Sequence, residues 1–286
     1  MPPCPWRPST PLAKVPMHRP SPSTTALQAQ LHRQSASLAV FLPAGLTDRA
    51  PERRTIDDLA DSGLDVFEVG VPHRSPVLDG PTISAAYQQA LARGTFVHDV
   101  LGTVSYAAMR APVVVMTYWD PVALYGPRRF ARDMMSAGAA GIMVVDLPRA
   151  QTRTWTNTLA EAGLTAPRLV PADTVDDDLA ELCATASGWL YTPAATAPTG
   201  YQGALDLPRL ARSVQRLRKA SALPVVSGVG ISTPDYARAV APLVNGVVVG
   251  SPVVRALTSA SLEAAASLVA DFAAAVHTPT AEASCG

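Results

Sequence analysis

Residues 223–251 read LPVVSGVGISTPDYARAVAPLVNGVVVGS. Two apolar, valine-rich runs, LPVVSGVG and NGVVVGS, enclose the helix-like stretch TPDYARAVAP. The apolar runs are continuous rather than alternating, which predicts strands covered on both faces and therefore parallel to one another. Working outward, the same alternation fills the chain. Strand-like runs SLAVFLPAG, LDVFEVG, PVVVMTY, AGIMVVDLP, PRLVPA and GWLYTPA precede this unit. Between and after the strands lie helical stretches: RRTIDDLADSG, PTISAAYQQALARG, PRRFARDMMSAG, TRTWTNTLAEAG, DDDLAELCATA, LPRLARSVQRLRKAS and SLEAAASLVADFAAAV. Several end in glycine, which suits a left-handed helix cap.

About eight strand–helix repeats in roughly 240 residues is the arithmetic of a closed (β/α)8 barrel. An open doubly wound sheet would show a glycine-rich fingerprint after its first strand, where this chain has LPAGLTD. The expected architecture is a single TIM barrel over residues 24–276, with TALQAQLHRQ forming a short helix before the first strand and no second domain.

Composition narrows the function. The 286 residues are 48% hydrophobic and 16% charged, enough to bury a large core. Lys+Arg and Asp+Glu are 23 each, so nothing in the charge favours nucleic acid or an anionic membrane surface. Cys4, Cys183 and Cys285 are too far apart for a disulfide framework or a metal site, and a reducing cytoplasm is the expected location. No apolar run approaches the roughly 18–20 residues that span a bilayer. Residues 1–23, rich in proline and without an acid, read as a disordered tail, because the prolines work against an amphipathic transit peptide. Residues 277–286 read the same way.

In such barrels phosphate is often held after strands seven and eight. Here those strands end SGVGIS and VVVGSPVV. Gly228, Gly230 and Gly250 permit close approach of the backbone to an anion, Ser232 and Ser251 offer hydroxyls, and Thr199-Gly200 adds the sixth loop. Any one of these glycines serves equally well to end a strand; two such turns on the last two strands point to phosphate.

The second strand holds an anomaly. In EVGVPHRSPVLDGPT, residues 68–82, Glu68 sits where a core strand places a hydrophobe, at the C-terminal, catalytic end. An acid facing an apolar barrel interior has its pKa raised by desolvation and becomes a proton donor and acceptor near neutrality. Phe67 and Val69 look like the outward-packing neighbours, which leaves Glu68 inward. Asp79 could accept a hydrogen bond from a substrate N–H, or could merely cap the helix that begins at Pro81.

These residues carry a resemblance. DVFEVGVPHRSPVLDGPTI, together with MTYWDPV, MVVDLP, SGVGIS and VVVGS in the right order, resembles the tryptophan synthase alpha chain family over about residues 24–275. The resemblance implies a (β/α)8 barrel that splits indole-3-glycerol phosphate into indole and glyceraldehyde 3-phosphate by a retro-aldol step, without a metal or organic cofactor. It implies that Glu68 is the acid–base group and Asp79 the acceptor of the indole N–H. By the same token Tyr118 and Tyr191 are pocket tyrosines, Ile83 an apolar wall of the indole site, and Thr199 the residue that holds the aspartate when the sixth loop closes. Gly200, Gly230, Gly250 and Ser251 resemble the phosphate cradle.

The chain also departs from the family. His73-Arg74-Ser75-Pro76 replaces Tyr/Phe-Ser-Asp-Pro, Asp120 replaces an asparagine, and AATAPTG replaces Ser-Arg-x-Gly-Val-Thr-Gly in the sixth loop. In the family these loops face a partner beta chain. Losing an acid and gaining His73 and Arg74 reverses the local charge, which bears on partner choice more than on barrel chemistry. Three readings follow: a free-standing indole-releasing lyase, an alpha chain matched to its own beta chain, or a catalytically weak paralogue that activates a partner. Another phosphosugar-binding barrel enzyme is the fallback. His73 reads as a solvent-facing loop residue and Trp119 as packing at a strand end.

Overall fold

A computed structural model describes residues 22–278. Eight strands appear in it: β1 (Ser37–Pro43), β2 (Val66–Gly70), β3 (Val113–Thr117), β4 (Ala139–Val144), β5 (Arg168–Leu169), β6 (Leu190–Pro193), β7 (Val225–Gly228) and β8 (Gly246–Val249). Neighbouring strands are parallel, in the order β4-β3-β2-β1-β8-β7-β6-β5. The two ends of that order meet through Thr165. The Ile142 N–H donates to the Thr165 carbonyl and the Thr165 N–H to the Ala140 carbonyl, each at 3.0 Å. Gly141 makes this seam possible, because a Cβ there would overlap the Thr165 side chain. The expected closed barrel is thus observed.

The helices are α1 (Pro22–Leu31), α2 (Arg49–Asp61), α3 (Pro81–Ala92), α4 (Val97–Ala107), α5 (Trp119–Tyr125), α6 (Pro127–Ser136), α7 (Thr152–Glu161), α8 (Asp176–Thr185), α9 (Leu207–Ala220), α10 (Pro234–Val240), α11 (Ser251–Ser259) and α12 (Leu262–His277). Three of them, α4, α5 and α11, go beyond the sequence reading. The segment that forms α4 opens on Phe96 instead of a polar cap and is rich in β-branched residues; the Asp99 carboxylate supplies the cap from inside by accepting from the Phe96 N–H at 3.1 Å. Helix α5 is seven residues long and stops at Gly126. Helix α11 follows β8 without a linker. Conversely, β5 is shorter than PRLVPA suggested, with two residues in the sheet. The tails expected at 1–23 and 277–286 lie outside the described residues except for Pro22, Ser23, His277 and Thr278, which belong to or flank α1 and α12.

Two apolar clusters occupy the two sides of the barrel wall. Phe67 and Val69 of β2 join Val40, Val115 and Val249 in the cluster that packs against the helices. Val66 of the same strand joins Phe41, Val114, Tyr191 and Val248 in the barrel interior. Strand alternation therefore turns Glu68 inward with Val66, in register with Phe41 of β1 and Val114 of β3. The N-terminal end of the barrel is plugged by α1, whose Leu27 and Leu31 are buried in the interior cluster. Among the described residues no helix is long and apolar enough to cross a membrane.

Candidate active site

At the C-terminal ends of the strands a cleft of about 560 Å³, mouth included, is lined by Glu68 and Asp79 at one end and by the turns after β7 and β8 at the other. Its lining of apolar side chains with a few convergent polar groups is that of a small-molecule site.

Glu68 is 2% exposed, and its Oε1 has no hydrogen-bond partner. Burial, reinforced by the nearby Asp79 charge, pushes its pKa up to about 8. At neutral pH the group therefore carries a proton that it can give away, and the carboxylate left behind is basic enough to take one back.

Asp79 is arranged differently. Its Oδ2 accepts from the Tyr118 hydroxyl at 2.9 Å and its Oδ1 from the Thr199 hydroxyl at 3.2 Å. Burial raises its pKa, while these two donors pull it back towards the anion. The possible capping role is not what the side chain does: the residue at the cap position of α3 is Gly80, with no side-chain cap bond, and both Asp79 oxygens point to hydroxyls. Two acids near one another are thus held differently, Glu68 with an oxygen that has no partner and Asp79 by two hydroxyl donors.

The second and sixth loops lie against each other here. The Gly80 N–H donates to the Thr199 hydroxyl at 2.9 Å, and the Thr199 N–H approaches the Leu78 carbonyl at 3.4 Å. A Cβ at residue 80 would overlap the Thr199 carbonyl, so glycine is required for this approach. The altered sixth loop, AATAPTG, therefore still reaches Asp79.

The remaining expected residues fall into two groups. Ile83, Tyr191, Thr199, Gly200, Gly230, Gly250 and Ser251 all line the cleft. Tyr118 and Gly228 do not. Tyr118 stands behind Asp79 and holds it, with a hydroxyl that also accepts from the Leu78 N–H at 3.1 Å. Gly228 is a strand residue whose missing Cβ leaves room for the Tyr191 hydroxyl, which is reason enough for a glycine there. The strain in the turn lies one residue on: Val229, a β-branched residue, is held at φ +45°, followed by Gly230 at φ +94°. The N-terminus of α11 opens at Ser251 in the same cleft, beside Gly200. Together these provide backbone N–H groups and hydroxyls for an anion.

His73 corrects the solvent-facing expectation. Its ring stacks on Tyr118 with centroids 4.7 Å apart and planes 17° from parallel, and its side chain is only 15% exposed. The partner, Tyr118, lies just after β3, which the local sequence around residue 73 does not reveal. Trp119 packs edge-on against Trp155 at 5.8 Å, as a packing residue should. The cleft also contains Phe41, Met116, Gln202 and Arg255, which sequence reasoning missed. Phe41 and Met116 carried no signal beyond being apolar in a strand.

The family model for the tryptophan synthase alpha chain matches residues 27–283. Among curated relatives, the tryptophan synthase alpha chains of Streptomyces avermitilis and Streptomyces coelicolor are 37% and 36% identical, over 85% of this chain and 88% and 92% of theirs. Among solved structures, a tryptophan synthase from M. tuberculosis superposes with a TM-score of 0.80 at 31% identity, covering 90% of this chain and 99% of that one. The alpha subunit from Legionella pneumophila gives 0.79 at 28% identity, covering 89% and 97%.

Proposed function

The chain belongs to the tryptophan synthase alpha chain family, and from that premise we propose that Glu68 and Asp79 are its working acids. The reaction is cleavage of indole-3-glycerol phosphate to indole and glyceraldehyde 3-phosphate, a carbon–carbon lyase step. In the proposed complex the indole ring lies among Phe41, Ile83, Met116 and Tyr191, its N–H donates to Asp79, and the phosphate sits at the turns after β7 and β8.

The protonated Glu68 donates to the ring carbon that bears the glycerol chain. The positive charge that this creates on the ring nitrogen faces the Asp79 carboxylate, which Tyr118 and Thr199 keep in place. Glu68, now a carboxylate, takes the proton of the hydroxyl on the adjacent side-chain carbon. The carbon–carbon bond then breaks, its electron pair returns to the ring, and indole and an aldehyde remain. The acid ends as it began. The observation that carries this reading is the unpartnered, buried Glu68 oxygen beside a doubly held Asp79.

We also take the chain to work in the cytoplasm with a beta chain. Val77 and Leu78 in the loop after β2 and Leu124 in α5, which follows β3, are exposed apolar side chains at the same end of the barrel as the cleft; exposed apolar side chains there suit a protein partner. The test is indole release from indole-3-glycerol phosphate by the purified chain, alone and with the beta chain of the same organism. Release that accelerates with the beta chain supports both proposals. Fast release without acceleration removes the partner and keeps the chemistry. No release under either condition overturns the assignment of the acids.

A further inference from the structure

We propose that Arg255 is the counter-charge for the substrate's phosphate and that Gln202 holds it at the mouth of the cleft. The inference rests on the assigned reaction and adds a residue to it.

The cleft has an acidic end and, in the turns after β7 and β8, an end built from backbone and hydroxyls. Neutral donors solvate a phosphate dianion but carry no charge to offset it, and the far end of the same cleft holds acids and no cation. The loop after β6, residues 194–206, contains no lysine or arginine, and neither does the segment SGVGISTP at the end of β7. Arg255 is the one cation among the residues lining the cleft. It lies four residues after Ser251 on α11 and therefore on the same helix face, one turn from the helix start that faces the cleft.

Several surface arginines here are held in ion pairs. Arg33, Arg49, Arg110, Arg149 and Arg216 each pair with a carboxylate. Among the described residues Arg255 has no carboxylate partner. Instead, with the Gln202 amide oxygen turned towards it, Gln202 accepts from both Nη1 and Nη2, at 2.8 and 3.0 Å. A neutral amide positions the fork without cancelling its charge and leaves further N–H groups for an anion. Gln202 follows Thr199 by three residues, so the segment that reaches Asp79 also holds the cation. Phosphate at one end and loop position at the other are thus connected through residues 199–202.

The test separates binding from chemistry. In the purified chain, Arg255→Ala should raise KM for indole-3-glycerol phosphate about tenfold, the loss expected for a charge-assisted contact at a solvent-facing mouth, with kcat changed less than threefold. Calorimetric titration with glycerol 3-phosphate should weaken by the same factor, while the affinity for indole stays as in the wild type. Arg255→Lys should keep most of the affinity, and Gln202→Ala should raise KM a few-fold. A rise in KM below threefold for Arg255→Ala overturns the proposal. So does equal loss of glycerol 3-phosphate and indole affinity, which would mean a structural role, or equal damage from Arg255→Lys and Arg255→Ala. A wild-type chain that binds glycerol 3-phosphate but releases no indole would instead count against the assigned reaction.

Discussion

Two acids lie along β2, one just before it and one within it, and they are treated in opposite ways. Asp65 precedes the strand at the plugged end of the barrel. Its Oδ2 accepts from the Leu38 N–H at 2.8 Å and meets His277 Nε2 at 2.6 Å, while its Oδ1 accepts from Arg33 at 2.7 Å. Glu68, three residues later, has an oxygen with no partner at all. Both are nearly removed from solvent, at 8% and 2% exposure. A buried carboxylate with both oxygens partnered ties the end of α1 to β1 and α12; one left short of partners is destabilising and free to act on a ligand. Asp65 is committed to its neighbours, and Glu68 keeps an oxygen free.

The largest effect that sharpens this contrast is on Glu68. Glu68→Gln should lower indole release by about 10³-fold, in the range of a lost general acid–base group, without loss of glycerol 3-phosphate affinity. The same variant should fold more tightly than the wild type in alkaline solution. The wild-type pKa rises from 4.5 to about 8 on folding, so the stability contributed by the bound proton is complete below pH 4.5 and is lost as pH rises through 8. The difference in Tm between Glu68→Gln and wild type should therefore grow in the mutant's favour from pH 6 to pH 9. A constant difference would show that Glu68 is ionised in the folded chain.

Asp79→Asn comes next, with an expected loss of about 10²-fold in kcat, because the amide keeps the shape but not the charge that faces the ring nitrogen. If the loss appears in KM alone, Asp79 binds the ring without stabilising the charge that develops on it. Asp65→Asn is the counterpart at the closed end. It should leave kcat within twofold and lower stability by about 2 kcal/mol, roughly 5 °C in Tm for a chain of this size. A substantial fall in kcat with an unchanged Tm would erase the distinction between the two ends.

The difference between these acids was half visible in the sequence. Glu68 stood out because a charge interrupts an apolar run whose neighbours are committed to the outer cluster. The period of two then decides which way it faces. The eightfold alternation was legible for the same reason: valine-rich runs bounded by turns say strand regardless of what they pair with. Asp65 sat at a strand boundary where acids are common, and its three partners come from residues 33, 38 and 277, which only the closed barrel brings together. Gly228 was read as an anion turn because a glycine has the same letter whether it makes room for a phosphate or for the Tyr191 hydroxyl. Arg255 carries no signal in the sequence, because α11 follows β8 directly after Gly250 and nothing marks the helix on which it lies one turn from Ser251.

The smallest effect concerns the layer behind Asp79. The His73 ring stacks on Tyr118, whose hydroxyl holds Asp79 Oδ2. His73 Nδ1 accepts from the Ser75 N–H at 3.3 Å, which turns Nε2 towards Asp120 Oδ2 at 3.9 Å. Two explanations for the histidine separate cleanly. If the flat ring matters, His73→Phe should keep activity near wild type, while His73→Ala should lower kcat about threefold as Tyr118 gains freedom, the scale of a stacked aromatic pair worth about 1 kcal/mol. If the pairing with Asp120 matters, His73→Phe should be as poor as His73→Ala, and Asp120→Asn should match both. The geometry favours the ring. A face-to-face stack at 4.7 Å constrains the tyrosine directly, whereas the Asp120 carboxylate is 77% exposed and its contact at 3.9 Å is screened by water. His73 thus stands between the two acids in kind: a residue that supports the open end by packing, as Asp65 supports the closed end by hydrogen bonds, and that touches the reaction only through Tyr118 and Asp79.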